Sequence, residues 1–443
     1  MAKHFTPGDL ATFVYVELQR SKIKEEKPTE AILKELFNTL YYASLQTEEG
    51  QFIKVTVTLF DHSNIESTES LQYDQWNFFA FEPKIEFTIK NLVKLSKAAD
   101  PWSSSLSVYY DENNKLFIYG MIDQTFHYQS YLNYEEDEKP MYPGIIQTMI
   151  NGIGILNVML DYHPIATLNQ NSLVKLYPNV FEYGPVSDFI RKKSTYSKSF
   201  IEKKVGHQLS IDDTAVYNEI IFEYVIQSIS RILLRIKTYH HGGAILITRN
   251  PNDDLITKYE LKYNRIESAV LHILNSVTDN DLLLDEIEAY KRKEKDIPSV
   301  LHEEFNQNEM DIEDSYNELI GAVRFVSSLS CVDGLVVLSP HLNVNGFGAV
   351  ISEKTLPPYV YLNRSSKISV NKVKIDPKHF GTRHQSMFSY CYKHPESLGF
   401  VVSQDGEIRA IKNVGGEVMM WENIKVYQFE RSSKMPKMPP RKN

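Results

Sequence analysis

Cysteine is scarce: only Cys331 and Cys391 occur among 443 residues. Two thiols cannot build a disulfide framework or a four-thiolate zinc site, and their scarcity fits a reducing compartment. Long apolar runs are missing too, since no stretch approaches the roughly 18–20 uninterrupted apolar residues of a membrane span. The opening MAKHFTPGDLATF lacks the charged-then-apolar layout of a signal peptide. A cytoplasmic protein with no membrane partner is therefore expected. Positive charge is not in excess either: the formal net charge of −9 argues against general nucleic-acid binding, and no specific nucleic-acid partner is expected. Walker A loops, a G-x-G-x-x-G after a strand and a G-x-S-x-G elbow are all absent. That removes the commonest nucleotide and hydrolase readings, though not nucleotide chemistry itself. What the chain does have is 42% hydrophobic and 12% aromatic residues, enough to bury real cores. Its length suits two to three domains at about 100–200 residues each.

Apolar spacing divides the chain in two. Ile32, Leu33, Leu36, Phe37 and Leu40 form a helical stripe that Thr29 can cap. Val55, Val57 and Leu59 alternate as a strand. Residues 106–110 and 116–121 flank Asp111-Glu112-Asn113-Asn114, good hairpin turn chemistry, and residues 155–160 and 173–176 read as a second pair. Residues 1–205 are expected to form an α+β domain with a mainly antiparallel sheet. A polar stretch at 194–213 marks the break. Beyond it, Tyr217 to Ile236 carry one broad helical stripe, which ends at Tyr239-His240-His241-Gly242-Gly243 before the buried run Ala244-Ile245-Leu246-Ile247. Further expected elements are a helix at 266–274, a helix at 319–329 leading to a strand at 332–338, a partner strand at 349–351, a helix from 381 to 392 and a hairpin at 399–411. Residues 278–314 are charge-rich, with helical character around 282–290, and read as an inserted surface segment. Residues 206–430 are thus expected to form an α/β domain with a mixed central sheet flanked by helices, and the Pro- and Lys-rich tail at 431–443 to be disordered.

Gly381-Thr382-Arg383-His384 is the most suggestive local constellation. Backbone N–H groups and a hydroxyl at a helix start, followed by two charge-assisted donors, suit a phosphate; an ordinary capped helix with solvated polar residues is the other reading. Asp333-Gly334 places a carboxylate at a strand start, where it can hold Mg²⁺ or Mn²⁺ on a triphosphate or simply make a turn. His240-His241-Gly242-Gly243 reads better as a tight turn than as a metal site, because adjacent histidines on a loop point different ways. Cys391 near His394 reads as a buried structural thiol rather than a nucleophile.

Taken in order, these elements resemble the diadenylate cyclase domain of the DisA N-terminal type. The resemblance runs over roughly residues 215–425. It rests on Gly243-Ala244-Ile245-Leu246-Ile247, Asp333-Gly334-Leu335, Leu356-Pro357, Gly381-Thr382-Arg383-His384-Gln385 and Val401-Val402-Ser403-Gln404-Asp405. These stand where the family has G-A-L-I-V-I, D-G-A, a Leu-Pro loop, G-T-R-H-R and V-V-S-E-E. The N-terminal region is similar in placement to the sensor domains fused ahead of such cyclases, the type named DACNV, a likeness of architecture that rests on no motif.

The resemblance implies that two protomers meet as a head-to-head homodimer, each with one ATP, and condense the pair into cyclic di-AMP. It implies a catalytic set of Asp333, Arg383 and His384. Asp333 and Asp405 would serve Mg²⁺ or Mn²⁺, while Gly243, Ala244, Gly334, Leu335, Leu356, Gly381, Thr382 and Ser403 would join Arg383 and His384 in binding nucleotide. Three departures stand out. Leu335 replaces a small residue, Gln385 replaces the second arginine, and Gln404 replaces the first glutamate of the hairpin. A neutral amide is a poor ligand for a hard metal and no general base at neutral pH. Two functions stay open on these grounds: an active cyclase under sensor control, or a degenerate cyclase fold that binds ATP or a cyclic dinucleotide.

Overall fold

The structure is a computed structural model that describes residues 4–20, 27–60, 76–100, 103–124, 146–160, 163–175, 178–206, 208–239, 241–249, 251, 254–368, 372–404 and 406–426. The tail expected at 431–443, Asp405 and His240 lie outside the described residues. The chain divides into two compact units, Met1–Leu176 and Tyr177–Asn443.

In the first unit, α1 (Pro7–Arg20) precedes α2 (Glu30–Ser44), where the Thr29 hydroxyl accepts the Ile32 N–H as expected. A small hairpin, β1 (Thr47–Glu48) and β2 (Gln51–Phe52), leads to β3 (Val55–Leu59), β4 (Trp76–Glu86) and α3 (Ile89–Leu95). Then follow β5 (Ser104–Tyr110), β6 (Leu116–Gln124), β7 (Ile146–Gly152), β8 (Ile155–Leu160), β9 (His163–Asn169) and β10 (Ser172–Val174). The eight-stranded sheet runs β10-β9-β8-β7-β3-β5-β6-β4, antiparallel throughout except where β3 meets β5. Val55, Val57, Leu106, Val108, Ile146 and Ile150 point to one face and pack under Leu10, Val14, Leu33, Phe37 and Leu40 of the helices.

The residue 106–121 hairpin forms as expected. The pair expected at 155–160 and 173–176 does not, because β9 lies between those strands and pairs with both β8 and β10. Pro164 masks β9 in the sequence, since proline cannot donate to a ladder. The structure accommodates it where the β8–β9 register shifts, opposite Met159.

The second unit begins with α4 (Pro185–Ser194) and α5 (Lys198–Val205), so the division falls earlier than the 205/206 boundary read from the sequence. The reason is tertiary. Arg191 lays its guanidinium 3.8 Å from the Phe222 ring centroid and pairs with Glu219, fastening α4 to α6 (Ile211–Thr238). A Ser210–Asp213 capping box starts α6. β11 (Gly243–Thr248) and β12 (Leu255–Ile256) follow, then two long helices, α7 (Arg265–Arg292) and α8 (Ser299–Leu329). The charge-rich residues 278–314 are the inner halves of this helical hairpin; Thr278, Ile287 and Leu301 are buried, and Asn308 Nδ2 donates to the Ser276 carbonyl at 2.8 Å. The remaining elements are β13 (Leu335–Leu338), β14 (Val344–Ile351), β15 (Val360–Asn363), β16 (Val373–Ile375), α9 (Thr382–Lys393), β17 (Ser397–Val402), β18 (Ile408–Val414) and β19 (Glu417–Trp421).

These strands form a mixed nine-stranded sheet in the order β12-β14-β13-β11-β17-β18-β19-β15-β16, with β11–β13 and β15–β19 parallel. α9 covers one face, packing Met387, Phe388, Tyr390 and Cys391 on Ala244, Leu246, Leu335, Val337 and Val401. Against the alternate residues, α4 meets β18 and α6 meets β17. No helix among the described residues is long and apolar enough to cross a membrane.

A charged knot fastens the end of α9. Lys393 Nζ lies 2.7 Å from Glu353 Oε2 and 3.2 Å from Asp254 Oδ2, which His394 Nε2 also meets at 2.7 Å. The Lys393 bond, helped by Thr355, lowers the Glu353 carboxyl from 4.5 to about 2. Its contribution to stability is complete above its unfolded value and is lost as pH falls toward about 2. Lys393→Gln is expected to flatten that acid limb, measured as the urea midpoint at neutral pH against about pH 3.

Candidate functional site

The strand ends bring most of the expected site residues to one edge of the second unit's sheet. Gly243 opens β11 opposite Val402, the last residue of β17. Ile245 is level with Val336 in the parallel pair, so β11 and β13 start at the end where β17 finishes. Asp333-Gly334, Gly242-Gly243 and Ser403-Gln404 therefore flank one another. α9 starts there as well. A Cβ on Gly242 would stand 2.7 Å from the Val402 carbonyl oxygen, 2.9 Å from Arg383 Nη1 and 3.3 Å from the Gln404 nitrogen. Gly242 has φ +68°, so glycine both permits the turn and clears this close meeting.

Asp333, Gly381, Thr382, Arg383 and Gln404 are exposed. Among the described residues, the side chains of Asp333, Thr382 and Arg383 make no hydrogen bond or ion pair. Open space surrounds Gly381, where an added Cβ would meet nothing within 4 Å. His384 is half-buried, 5.7 Å from the Phe380 ring, and its Nε2 lies 3.1 Å from Arg409 Nη1. A guanidinium only donates, so this contact assigns the lone pair to Nε2 and the proton to Nδ1 of a neutral imidazole. Arg409 is itself held by Glu407 and, at 3.4 Å, by Glu422.

Several expected site residues have structural work to do. Ala244 and Leu335 turn their side chains into the core beneath Met387 and Phe388. Ser403 donates its hydroxyl to the Glu407 carbonyl at 3.1 Å and so closes the β17–β18 turn. Gly243 admits α6, since a Cβ there would stand 2.8 Å from Ile236 Cγ2. Gly334, at φ +121°, is crowded by backbone, with the Gly348 carbonyl carbon 2.5 Å from the Cβ position. Leu356 is half-buried in the loop after β14, which extends past the start of β13. Gln385 Nε2 donates to the carbonyls of Phe380 at 2.5 Å and Lys378 at 3.4 Å, which ties it to the loop before α9.

Arg409 is the residue that sequence reasoning missed. It follows the glycine turn of an expected hairpin, and nothing in its spacing ties it to His384, 25 positions earlier. His241 Nδ1 lies 2.9 Å from the Gly242 carbonyl oxygen, and the ring stacks on Tyr239, in keeping with a turn. Burial pushes the Cys391 thiol up to about 11, and its Sγ faces the Ile411 carbonyl while His394 serves Asp254. A group of three or more His, Cys, Asp or Glu side chains able to hold a metal is absent among the described residues.

A family model described as "Probable sensor domain DACNV" matches residues 22–123. The matched stretch lies wholly in the first unit, from ahead of α2 into β6. The sensor reading of the N-terminal region rests on this match, which stops short of the second unit. No curated protein matches the chain.

Gly334→Ala is expected to destabilise the second unit by about 1–3 kcal/mol with or without nucleotide, because β14 backbone fills the space. Urea denaturation checks this. Unchanged stability would mean that the glycine is kept for a ligand alone.

Proposed function

We propose that the second unit is a diadenylate cyclase-like nucleotidyltransferase, condensing two ATP into cyclic di-AMP under control of the N-terminal sensor region. The observation that carries the proposal is the meeting of Arg383, Gly242 and Gln404 at the sheet end, beside Asp333 and Thr382, whose side chains are exposed and unpaired among the described residues. The exposed Arg383 guanidinium and a helix start without an acidic first turn suit a polyphosphate. Arg383 would bind phosphate oxygens directly, and Thr382 would add a hydroxyl. Arg409 would hold His384 so that its Nδ1–H donates.

In the reaction, the 3′-oxygen of each ATP bonds to the α-phosphorus of the other as the bond to the leaving pyrophosphate breaks. Two pyrophosphates depart and the two hydroxyl protons pass to solvent. One sheet end serves one nucleotide, so the chemistry calls for a head-to-head homodimer. Catalysis would come chiefly from positioning and charge neutralisation. Asp333 fits a Mg²⁺ or Mn²⁺ carried in with the triphosphate, because such an ion needs only one or two carboxylates besides phosphate and water. The ion would neutralise charge at the phosphates.

A second reading has its own support. Gln404 is exposed where the resembling family has a glutamate, and Gln385 is bound to the loop rather than free to meet a phosphate. Those two features favour a module that binds ATP or a cyclic dinucleotide without turnover.

Mass spectrometry of products from the full chain with ATP and Mn²⁺ separates the two. Cyclase activity predicts cyclic di-AMP from the wild type, reduced about 10²–10³-fold in Asp333→Ala. Product from Gln404→Glu but none from the wild type supports the binding module. Silence from all three folded proteins removes catalysis. A strict monomer in sedimentation at high concentration with ATP also counts against it.

A further inference from the structure

The outermost strands of the second unit's sheet carry a surface that the sheet-end site does not use. In β15, Val360 and Leu362 pack beneath α9, so Tyr361, and Tyr359 just ahead of the strand, turn to the opposite face. Lys374 of β16 stands directly across from Tyr361. α4 and α6 pack against β18 and β17 of this face. At its edge Tyr359 remains 48% exposed, and Tyr183, just ahead of α4, 53%. Each ring has an ammonium beside it. Lys374 Nζ lies 5.2 Å from the Tyr359 ring centroid and 5.8 Å from that of Tyr361. Lys372 Nζ is 5.5 Å from Tyr361, and Lys367 Nζ is 5.8 Å from Tyr183.

Residues 359–378 hold five basic side chains, Arg364, Lys367, Lys372, Lys374 and Lys378, against one acid, Asp376, in a chain whose net charge is −9. Lys372 pairs with Glu417 of β19, and the Tyr361 hydroxyl donates to the same carboxylate, which fixes that ring. Arg364, Lys367, Lys374 and Lys378 are exposed and make no ion pair among the described residues. Charges beyond about 10 Å are screened at about 0.1 M salt, so the field that an anion meets here is set by these neighbours and not by the sum over the chain. Lysines on an edge strand ordinarily serve to keep other strands from pairing. That accounts for Lys374, but not for exposed tyrosines on the same face or for the cations of the loop between β15 and β16.

We infer that this face is a docking platform for single-stranded nucleic acid, with bases stacked on the tyrosine rings and phosphates held by the lysines beside them. Such platforms combine cations that track the phosphates with aromatic rings that take bases of any sequence. Alternate residues along a strand stand roughly 6.6 Å apart, about twice the ~3.4 Å rise between stacked bases, so Tyr359 and Tyr361 fit bases splayed one to a ring. A duplex keeps its base faces inside the stack and offers only phosphate. An acidic peptide or an anionic lipid headgroup would use the cations and leave the rings idle. Ring face and phosphate are both blind to the 2′-hydroxyl, so RNA and DNA strands are equivalent occupants. The inference is independent of the cyclase reading, since Asp333 and Arg383 take no part in it.

The test uses the full chain and fluorescence anisotropy with labelled oligo(dT) and oligo(U) of about 15 nucleotides. Both are expected to bind with similar affinity, and more tightly than a duplex of the same length. Affinity should fall with salt at a log–log slope of about −2 to −3, the value for three or four phosphate contacts. Tyr359→Ala is expected to weaken binding about 5–150-fold, and Tyr359→Phe to leave it unchanged because the ring stays. Lys374→Gln should make the salt slope shallower by about 0.7. Urea midpoints check that each variant is folded. Four results overturn the inference: neither strand binds at about 50 mM salt, the duplex binds as tightly as the single strands, Tyr359→Ala binds like the wild type, or phosphatidylglycerol vesicles displace the oligonucleotide. Loss of binding in Arg383→Gln with none in Tyr359→Ala places the strand at the sheet end and overturns it too. Cyclic di-AMP formation is not read in this assay, so failure of the cyclase reading is distinct from failure here.

Discussion

Close approach of backbone to backbone at one sheet end underlies everything proposed for the second unit. β11 and β13 start there and β17 ends there, and the space between them is too narrow for side chains. Gly242 lies against the Val402 carbonyl and Arg383, Gly243 against Ile236 of α6, and Gly334 against the backbone of β14. In a ligand-binding fold such glycines invite the explanation that they clear room for the ligand. Here all three make room for the protein itself, with β17 and Arg383 beside Gly242, α6 over Gly243 and β14 over Gly334. What reaches solvent is a rim of carboxylate, hydroxyl and guanidinium whose backbone anchors are fixed by main-chain packing, while the side chains themselves are exposed. The anchors are thus placed in advance, and ordering the side chains is left to the binding of phosphate.

The two arginines at this rim differ in kind. Arg409 is surrounded by Glu407, Glu422 and His384, and it is mostly buried. Its charge is largely spent on holding the hairpin and the imidazole in place. Arg383 has no such partners among the described residues, so its charge is available to an incoming anion. Gln385 brings no third cation, and its amide fixes the loop that leads into α9. Among the described residues the net result is one free cation positioned over a glycine turn and one bound cation that orients a histidine, a leaner arrangement than three basic residues in a row.

How much of this was legible depended on whether an element's cause was local. β11, β13, β17 and α9 were readable because unbroken apolar runs, glycine turns and a helical stripe lie within a few residues of one another. Of the α7–α8 hairpin the outer ends at 266–274 and 319–329 were readable as helices, but the charge-rich 278–314 was taken for an insert, because its long solvent-facing surface fills the sequence with charge while only scattered residues such as Thr278 and Leu301 are buried. α4 was assigned to the N-terminal domain, because the polar stretch at 194–213 that marks the break follows it. What makes it part of the second unit is Arg191 stacked on Phe222, a contact 31 positions apart that no periodicity encodes. β9 was hidden by Pro164, whose cost is absorbed by a register shift visible only once its neighbour is known. The site followed the same rule: Arg383 and His384 announce themselves in one motif, whereas Arg409 matters only through a contact between a helix and a hairpin.

Burial sorts the basic groups of this rim along physical lines. A cation meant for phosphate has to stay hydrated until the anion arrives, because an unpaired charge in the interior costs far more than a rim-exposed one. Arg383 at an open sheet end satisfies that condition. Arg409, tucked against Glu407 and Glu422, already has its counter-charge and needs no incoming anion to offset its burial. The same rim thus holds one cation that gains by meeting a phosphate and one that gains nothing, and the difference is set by exposure before any detailed fit is considered.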